Sequence, residues 1–127
     1  MDLQHMCPKY QKVVDILGKR WTALMLRALI SGPRRFTEIK NYVPGLSDRL
    51  LSERLQELEE AGIVERRVHP QRPVLVEYAL TPKGADLRQV VEALQMWADR
   101  WVTPAEVQVA DTGTQGERQA SSDAGAV

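Results

Sequence analysis

The stretch that most limits how this chain can fold is Leu46 to Gly62, LSDRLLSERLQELEEAG. It predicts one amphipathic helix over 47–61 with a start and a stop. Ser47 is a good N-cap, because its hydroxyl can accept from an orphan amide in the first turn. Gly62 suits the left-handed residue that closes a helix. Leu51, Leu55 and Leu58 fall at i, i+4 and i+7, a stripe that faces a core, and Leu50 widens it. The opposite face carries Arg49, Ser52, Glu53 and Gln56. Short or forked side chains near its start suit contact with base edges and phosphates. The alternative is a solvated face on an ordinary core helix. The flanking sequence bears on that choice.

Phe36 to Val43 predicts a short helix with Phe36, Ile39 and Val43 inward, and Pro44-Gly45 predicts the turn that follows it. Two helices meeting across a tight turn make a helix-turn-helix layout. After Gly62, Ile63–His69 and Leu75–Leu80 predict two strands, with Val76, Tyr78 and Leu80 alternating against Glu77 and Ala79. Pro70-Gln71-Arg72-Pro73 cannot continue a ladder, so it predicts a protruding hairpin loop. A hairpin in that place is a wing, with Arg66 and Arg67 on its first strand and Arg72 at its tip. The expected fold class is mainly α with a small β-hairpin, a winged helix-turn-helix.

Residues 1–8 predict a flexible arm, and Pro8 fits a first helical position. Tyr10, Val13, Val14 and Leu17 repeat at helical spacing up to Gly18. A second helix is expected from Arg20 or Trp21 to Ile30, buried on several sides, until Ser31-Gly32-Pro33 breaks it. Thr81-Pro82 starts a last helix expected to run unbroken to about Trp101. Leu87, Val90, Val91, Leu94, Trp97, Ala98 and Trp101 share one side of it. A small winged domain has little core left to cover that face. A second copy of the chain is expected to cover it, through Val13, Val14, Leu17, Val90, Val91, Leu94, Trp97 and Trp101. The alternative is packing against the first helix. From Pro104 the composition turns to Gly, Ser, Thr, Gln and Ala, which predicts a domain over 9–103 and a disordered tail over 104–127.

The 127 residues suffice for one domain. Formal charge is zero overall, but sixteen Lys and Arg oppose thirteen Asp and Glu through Thr103. The folded part is therefore mildly basic, which is weak evidence for nucleic acid until the local layout is considered. Cys7 is the single cysteine, so no internal disulfide can form. Neither a signal peptide nor a membrane span is read, so a cytoplasmic protein is expected. An enzyme would have to use Cys7 with His5 or His69, and no third group orients either histidine. There is no phosphate loop and no metal-ligand cluster, so neither catalysis, cofactor nor metal is expected.

Cys7-Pro8, Gly18-Lys19-Arg20-Trp21-Thr22 and Gly32-Pro33-Arg34-Arg35-Phe36, taken in order, resemble the HxlR-type winged helix-turn-helix regulators, which are MarR-like. Pro44-Gly45-Leu46-Ser47, Leu51-Ser52-Glu53-Arg54-Leu55, Leu58-Glu59 and Gly62-Ile63-Val64-Glu65-Arg66 continue the match. Val76-Glu77-Tyr78-Ala79-Leu80-Thr81-Pro82-Lys83-Gly84 completes it. The resemblance covers roughly Cys7 to Trp101. It implies a bacterial, cytoplasmic, dimeric protein that binds double-stranded DNA and regulates transcription, with a tilt toward repression.

On that reading helix 47–61 lies in the major groove, with Ser47, Arg49, Ser52, Glu53 and Gln56 as contact candidates. Arg49 either reads a guanine or clamps a phosphate. Arg54 falls near the apolar stripe by helical phase and is expected to pair with an acidic residue inside the domain. Arg34 and Arg35 stand before the helix that leads into the turn, as phosphate ligands or as a solvated loop. Arg72, helped by Arg67, reaches the backbone or minor groove of flanking duplex. A homodimer places two reading helices ~34 Å apart and so reads an inverted repeat. Cys7 adjoins a helix start, which favours anions, and some HxlR-type regulators sense oxidants or electrophiles through such a cysteine. The alternative is an inert thiol. A second route is a small apolar effector in a cavity among Tyr10, Trp21, Met25, Met96, Trp97 and Trp101, residues that serve equally as core. The rival to DNA binding is a winged-helix module that binds protein.

Overall fold

The wing is a hairpin of two antiparallel strands, and helices surround the rest of the core. In the computed structural model, which describes residues 1–107, the order is α1 (Pro8–Leu17), α2 (Thr22–Ile30), α3 (Phe36–Tyr42), α4 (Asp48–Glu60), β1 (Val64–His69), β2 (Leu75–Leu80), α5 (Pro82–Ala85) and α6 (Arg88–Trp101). The core and wing lie within residues 1–91, and residues 92–107 form a separate unit with the rest of α6.

The core forms where the apolar stripes of α2, α3 and α4 meet. Met25, Leu29, Ile39, Leu51, Leu55 and Leu58 are at most 2 % exposed. Each such side chain removed from water contributes about 1.5–3 kcal/mol. Ser47 caps α4 by accepting from the Leu50 amide at 3.1 Å. Gly62 follows its C-cap, Ala61, at φ 75°, a conformation that a side chain would strain. The Ile63 amide then donates to the Leu58 carbonyl at 2.9 Å, so the chain leaves the helix already aimed into β1.

The strands pair in register from Val64↔Leu80 to His69↔Leu75. Only Val64 of β1 and Ala79 of β2 are buried, so most of the hairpin projects from the core. Arg34 adds a single bridge to its edge: its amide donates to the Tyr78 carbonyl at 2.9 Å and its carbonyl accepts the Tyr78 amide at 2.8 Å. From sequence, Arg34 is expected as a phosphate ligand or part of a solvated loop.

Two expectations about elements are corrected. The helix expected to run unbroken from Pro82 is two helices, α5 and α6. Gly84 is pressed so close to β1 that a Cβ would stand 2.1 Å from the Ile63 carbonyl oxygen. The backbone tightens there into three-residue steps, Leu87 N–H to Gly84 O and Val90 N–H to Leu87 O, both at 3.0 Å. The second helix begins at Thr22, because Trp21 takes φ 82° and cannot be helical. Such a backbone costs an aromatic residue about 1–3 kcal/mol.

Pro104, where the tail was expected to begin, opens a helical turn over 104–107. Thr103 caps it: its amide donates to Glu106 Oε2 at 2.6 Å and its hydroxyl accepts the Glu106 amide at 3.3 Å. The backbone bond from Thr103 holds the Glu106 carboxyl below its ordinary range. The rest of the expected tail, 108–127, lies outside the described residues.

Candidate nucleic-acid interface

With Leu51, Leu55 and Leu58 holding α4 to the core, Arg49, Ser52, Glu53 and Gln56 stand exposed on its other face. The Arg49 side chain is 87 % exposed, and its Nε meets Glu53 Oε2 at 3.1 Å. Ser47 accepts in its capping bond, which leaves its hydroxyl proton for another acceptor. Lys40 at the end of α3 pairs with Asp48 of α4 at 2.5 Å and ties the two helices across the turn. The sequence singled out neither Lys40 nor this tie.

Arg35 and Arg67 also pair with a nearby carboxylate. Arg35 Nη2 stands 3.7 Å from Glu38, whose carboxyl also accepts the Arg35 amide at 2.8 Å. That backbone bond, more than the charge beside it, lowers the Glu38 pKa. Arg67 Nε meets Glu65 at 2.6 Å. Arg72 is exposed at the hairpin loop. Exposed pairs of this kind are worth only ~0.2–1 kcal/mol, so a phosphate can replace the carboxylate at little cost. His69 pairs with Glu77 across the hairpin at 2.9 Å.

Arg34 is placed differently. Its Nε donates to the Ala28 carbonyl, its Nη2 lies 3.2 Å from Ser31 Oγ, and its guanidinium stacks on Tyr42 at 4.9 Å. These partners, with its bridge to Tyr78, make Arg34 a strut between α2, α3 and the wing. Arg54 also turns inward. Its side chain is 16 % exposed, and it bonds the Arg20 carbonyl at 3.1 Å and Glu57 at 3.4 Å.

Of the residues expected to line an aromatic cavity, Met25 is fully buried in the core, and Trp21 packs against that core. Tyr10 lines an open pocket of about 770 Å³ with the arm, including Met1, Leu3, Met6 and Cys7. Cys7 is exposed at the N-cap of α1, and its side chain caps no amide. Among the interface candidates, Val13 and Val14 of α1 are 46 % and 50 % exposed, and Val90, Leu94, Trp97 and Trp101 of α6 are 38–63 % exposed. Leu17 and Val91 are half-buried against the core of their own chain. Among the described residues no group of three or more His, Cys, Asp or Glu could hold a metal, and no helix is long and apolar enough to cross a membrane.

Ser47 thus caps α4, its leucine stripe is buried and Arg49 is exposed, with Arg66, Arg67 and Arg72 on the hairpin that follows. Residues 16–106 match the model of the HxlR-like helix-turn-helix. The chain belongs to that family. Its HxlR-like relatives include an uncharacterised HTH-type transcriptional regulator of Bacillus subtilis, YvaP, 48 % identical over 83 % of this chain and 97 % of YvaP. The HTH-type regulator YodB of the same organism is 46 % identical over 80 % of this chain and 90 % of its own. The reduced form of YodB superposes with a TM-score of 0.69 at 47 % identity, over 79 % of this chain and 98 % of that one. The oxidised form of the redox regulator HypR gives 0.69 at 35 % identity, over 74 % and 96 %. YodB has also been solved diamide-treated and quinone-bound, each at a TM-score of 0.65 and at 46 % and 43 % identity. These structures cover 80 % and 75 % of this chain and the whole of theirs. HxlR-like proteins are transcriptional regulators rather than enzymes, and the winged helix fold is theirs.

Proposed function

We propose that this HxlR-like protein is a repressor that binds an inverted-repeat DNA operator as a homodimer and responds to electrophiles or oxidants through Cys7. The observation that carries the DNA part is Arg49, almost fully exposed on a capped helix whose other face is locked into the core. Ser47, Ser52, Glu53 and Gln56 complete the reading face, and Arg35, Arg67 and Arg72 supply phosphate contacts from the α3 start and the wing. Arg34 supports this surface from within.

The homodimer reading rests on α1 and α6. Neither helix has a fully buried residue, yet both are amphipathic. Two exposed tryptophans with Leu94 and Val90 make an apolar face of the kind monomers seldom leave uncovered. A second copy covers it best, because a closed two-fold pair also presents two reading helices at the spacing of one duplex turn.

The switch reading rests on Cys7 and Tyr10 lining one open pocket with apolar arm residues. A quinone ring fits that setting. The Cys7 thiolate adds to a ring carbon, the ring keeps both electrons and gains a proton, and the product is a hydroquinone thioether. No second thiol is required. The related YodB has been seen quinone-bound and diamide-treated, which supports the same class of signal here. Titration of the protein into labelled random duplex at two salt concentrations tests the DNA part. Binding that weakens steeply with salt supports it. No binding at low salt overturns it and leaves the fold as a protein-binding module. A Cys7→Ser protein that still releases operator on quinone treatment overturns the switch.

A further inference from the structure

The connector between α1 and α2, Gly18 to Trp21, is fastened to the second half of the reading helix and touches the turn that leads into it. Arg54 of α4 donates from Nε to the Arg20 carbonyl oxygen at 3.1 Å and from Nη1 to Glu57 at 3.4 Å. Glu57 also holds Lys19 Nζ at 3.1 Å. At the other end the Trp21 ring reaches the turn into α4, where a Cβ on Gly45 would stand 3.4 Å from Trp21 Cη2. The Arg20 guanidinium lies over that same ring at 4.6 Å.

The connector has little freedom of its own. Its N-terminal end is the Gly18 amide, bonded to the Val14 carbonyl at 2.7 Å, and its C-terminal end adjoins the buried Thr22. Trp21 holds φ 82°, which a bulky residue keeps only where its surroundings over-determine it. The Trp21 ring against Gly45, together with the bonds from Arg54 to Arg20 and from Lys19 to Glu57 on the residues before it, holds that conformation. The Arg20 carbonyl stands outside the ladder of α2, which begins at Thr22, so the charge-assisted bond from Arg54 gives it a partner.

We propose that Arg54 is a positioning residue: with Glu57 it locks α4 to the α1–α2 connector, so that a displacement of α1 is delivered to the reading helix. That the displaced helix reads DNA rests on the function proposed above, whereas the link between the two helices does not.

A double-mutant cycle read by amide hydrogen exchange tests the link without DNA. An alanine at 18 would place its Cβ 2.5 Å from the Val14 carbonyl oxygen, so the last turn of α1 must move. Gly18→Ala is expected to speed exchange at the first turn of α4, at Leu50 and Leu51. In an Arg54→Met background that increment is expected to vanish. Equal increments in the two backgrounds, or none in the first, overturn the proposal. Should Gly18→Ala fail to fold, Arg54→Met alone decides. Faster exchange, by about tenfold, confined to residues 18–22 and 48–54 supports the lock, because one charge-assisted bond has left the local opening equilibrium. Unchanged exchange, or a uniform rise across α2 and α3, overturns it.

Duplex binding gives the second readout. Arg54→Met is expected to weaken binding several-fold with the salt slope of the unaltered protein, and Arg54→Lys to restore part of it. A slope lowered by about one means that Arg54 touches phosphate, which overturns the positioning role. If the unaltered protein binds no duplex, the proposed function falls and the exchange cycle still decides the link.

Discussion

Arg49 is held in the free protein by Glu53 at 3.1 Å, in the less favourable order for a helical pair, with the cation N-terminal to the anion. Such a pair yields readily to a stronger anion. Arg49→Ala is expected to weaken operator binding by ~1–3 kcal/mol if the side chain reads a guanine, and by a similar factor on every sequence if it clamps phosphate. Titrations on operator and random duplex separate these outcomes, and equal affinity of variant and original on both excludes Arg49 from the interface. Arg34 gives the contrasting expectation. Its bonds to Ala28 and Ser31 and its stacking on Tyr42 are internal, so Arg34→Ala should lower the unfolding free energy by about 1–3 kcal/mol, read by urea titration. Its salt slope should remain that of the original protein. Sequence alone put Arg49 on the outer face of a helix by its phase against the leucines. It could not show that the backbone bridge to Tyr78 would draw Arg34 inward, because a one-residue bridge leaves no period to read.

Among the elements, those with chemical punctuation were legible. Ser47 and Gly62 bracket α4 because a hydroxyl and a left-handed residue solve the problem of orphan amides and carbonyls. The prolines of the hairpin loop marked the wing for the same kind of reason. The break between α5 and α6 was not legible, since the apolar spacing continues across it. Its cause is tertiary, the contact of Gly84 with the Ile63 carbonyl. Gly84→Ala should therefore destabilise the fold by about 1–3 kcal/mol, as overpacking does. Urea unfolding with a lower midpoint and an unchanged slope checks this, and an unchanged midpoint refutes it. The left-handed Trp21 was likewise hidden: nothing in Gly18-Lys19-Arg20-Trp21 announces a backbone held by long-range contacts, the Trp21 ring on Gly45 and Arg54 on the Arg20 carbonyl.

At the scale of the whole molecule, Val13 and Val14 of α1 and Leu94, Trp97 and Trp101 of α6 are apolar side chains left exposed on a single chain. Leu94→Glu with Trp97→Glu should leave the core intact, because both side chains are exposed, and should give a monomer by sedimentation. That monomer should bind duplex far more weakly than the parent. A variant that remains dimeric shifts the interface elsewhere. The most direct test of the central claim is footprinting of the protein on its operator. The expected result is two protected half-sites related by a two-fold axis and centred about one helical turn, ~34 Å, apart, with protection lost in Arg49→Ala. A single protected half-site, or protection unaffected by Arg49→Ala, would contradict it.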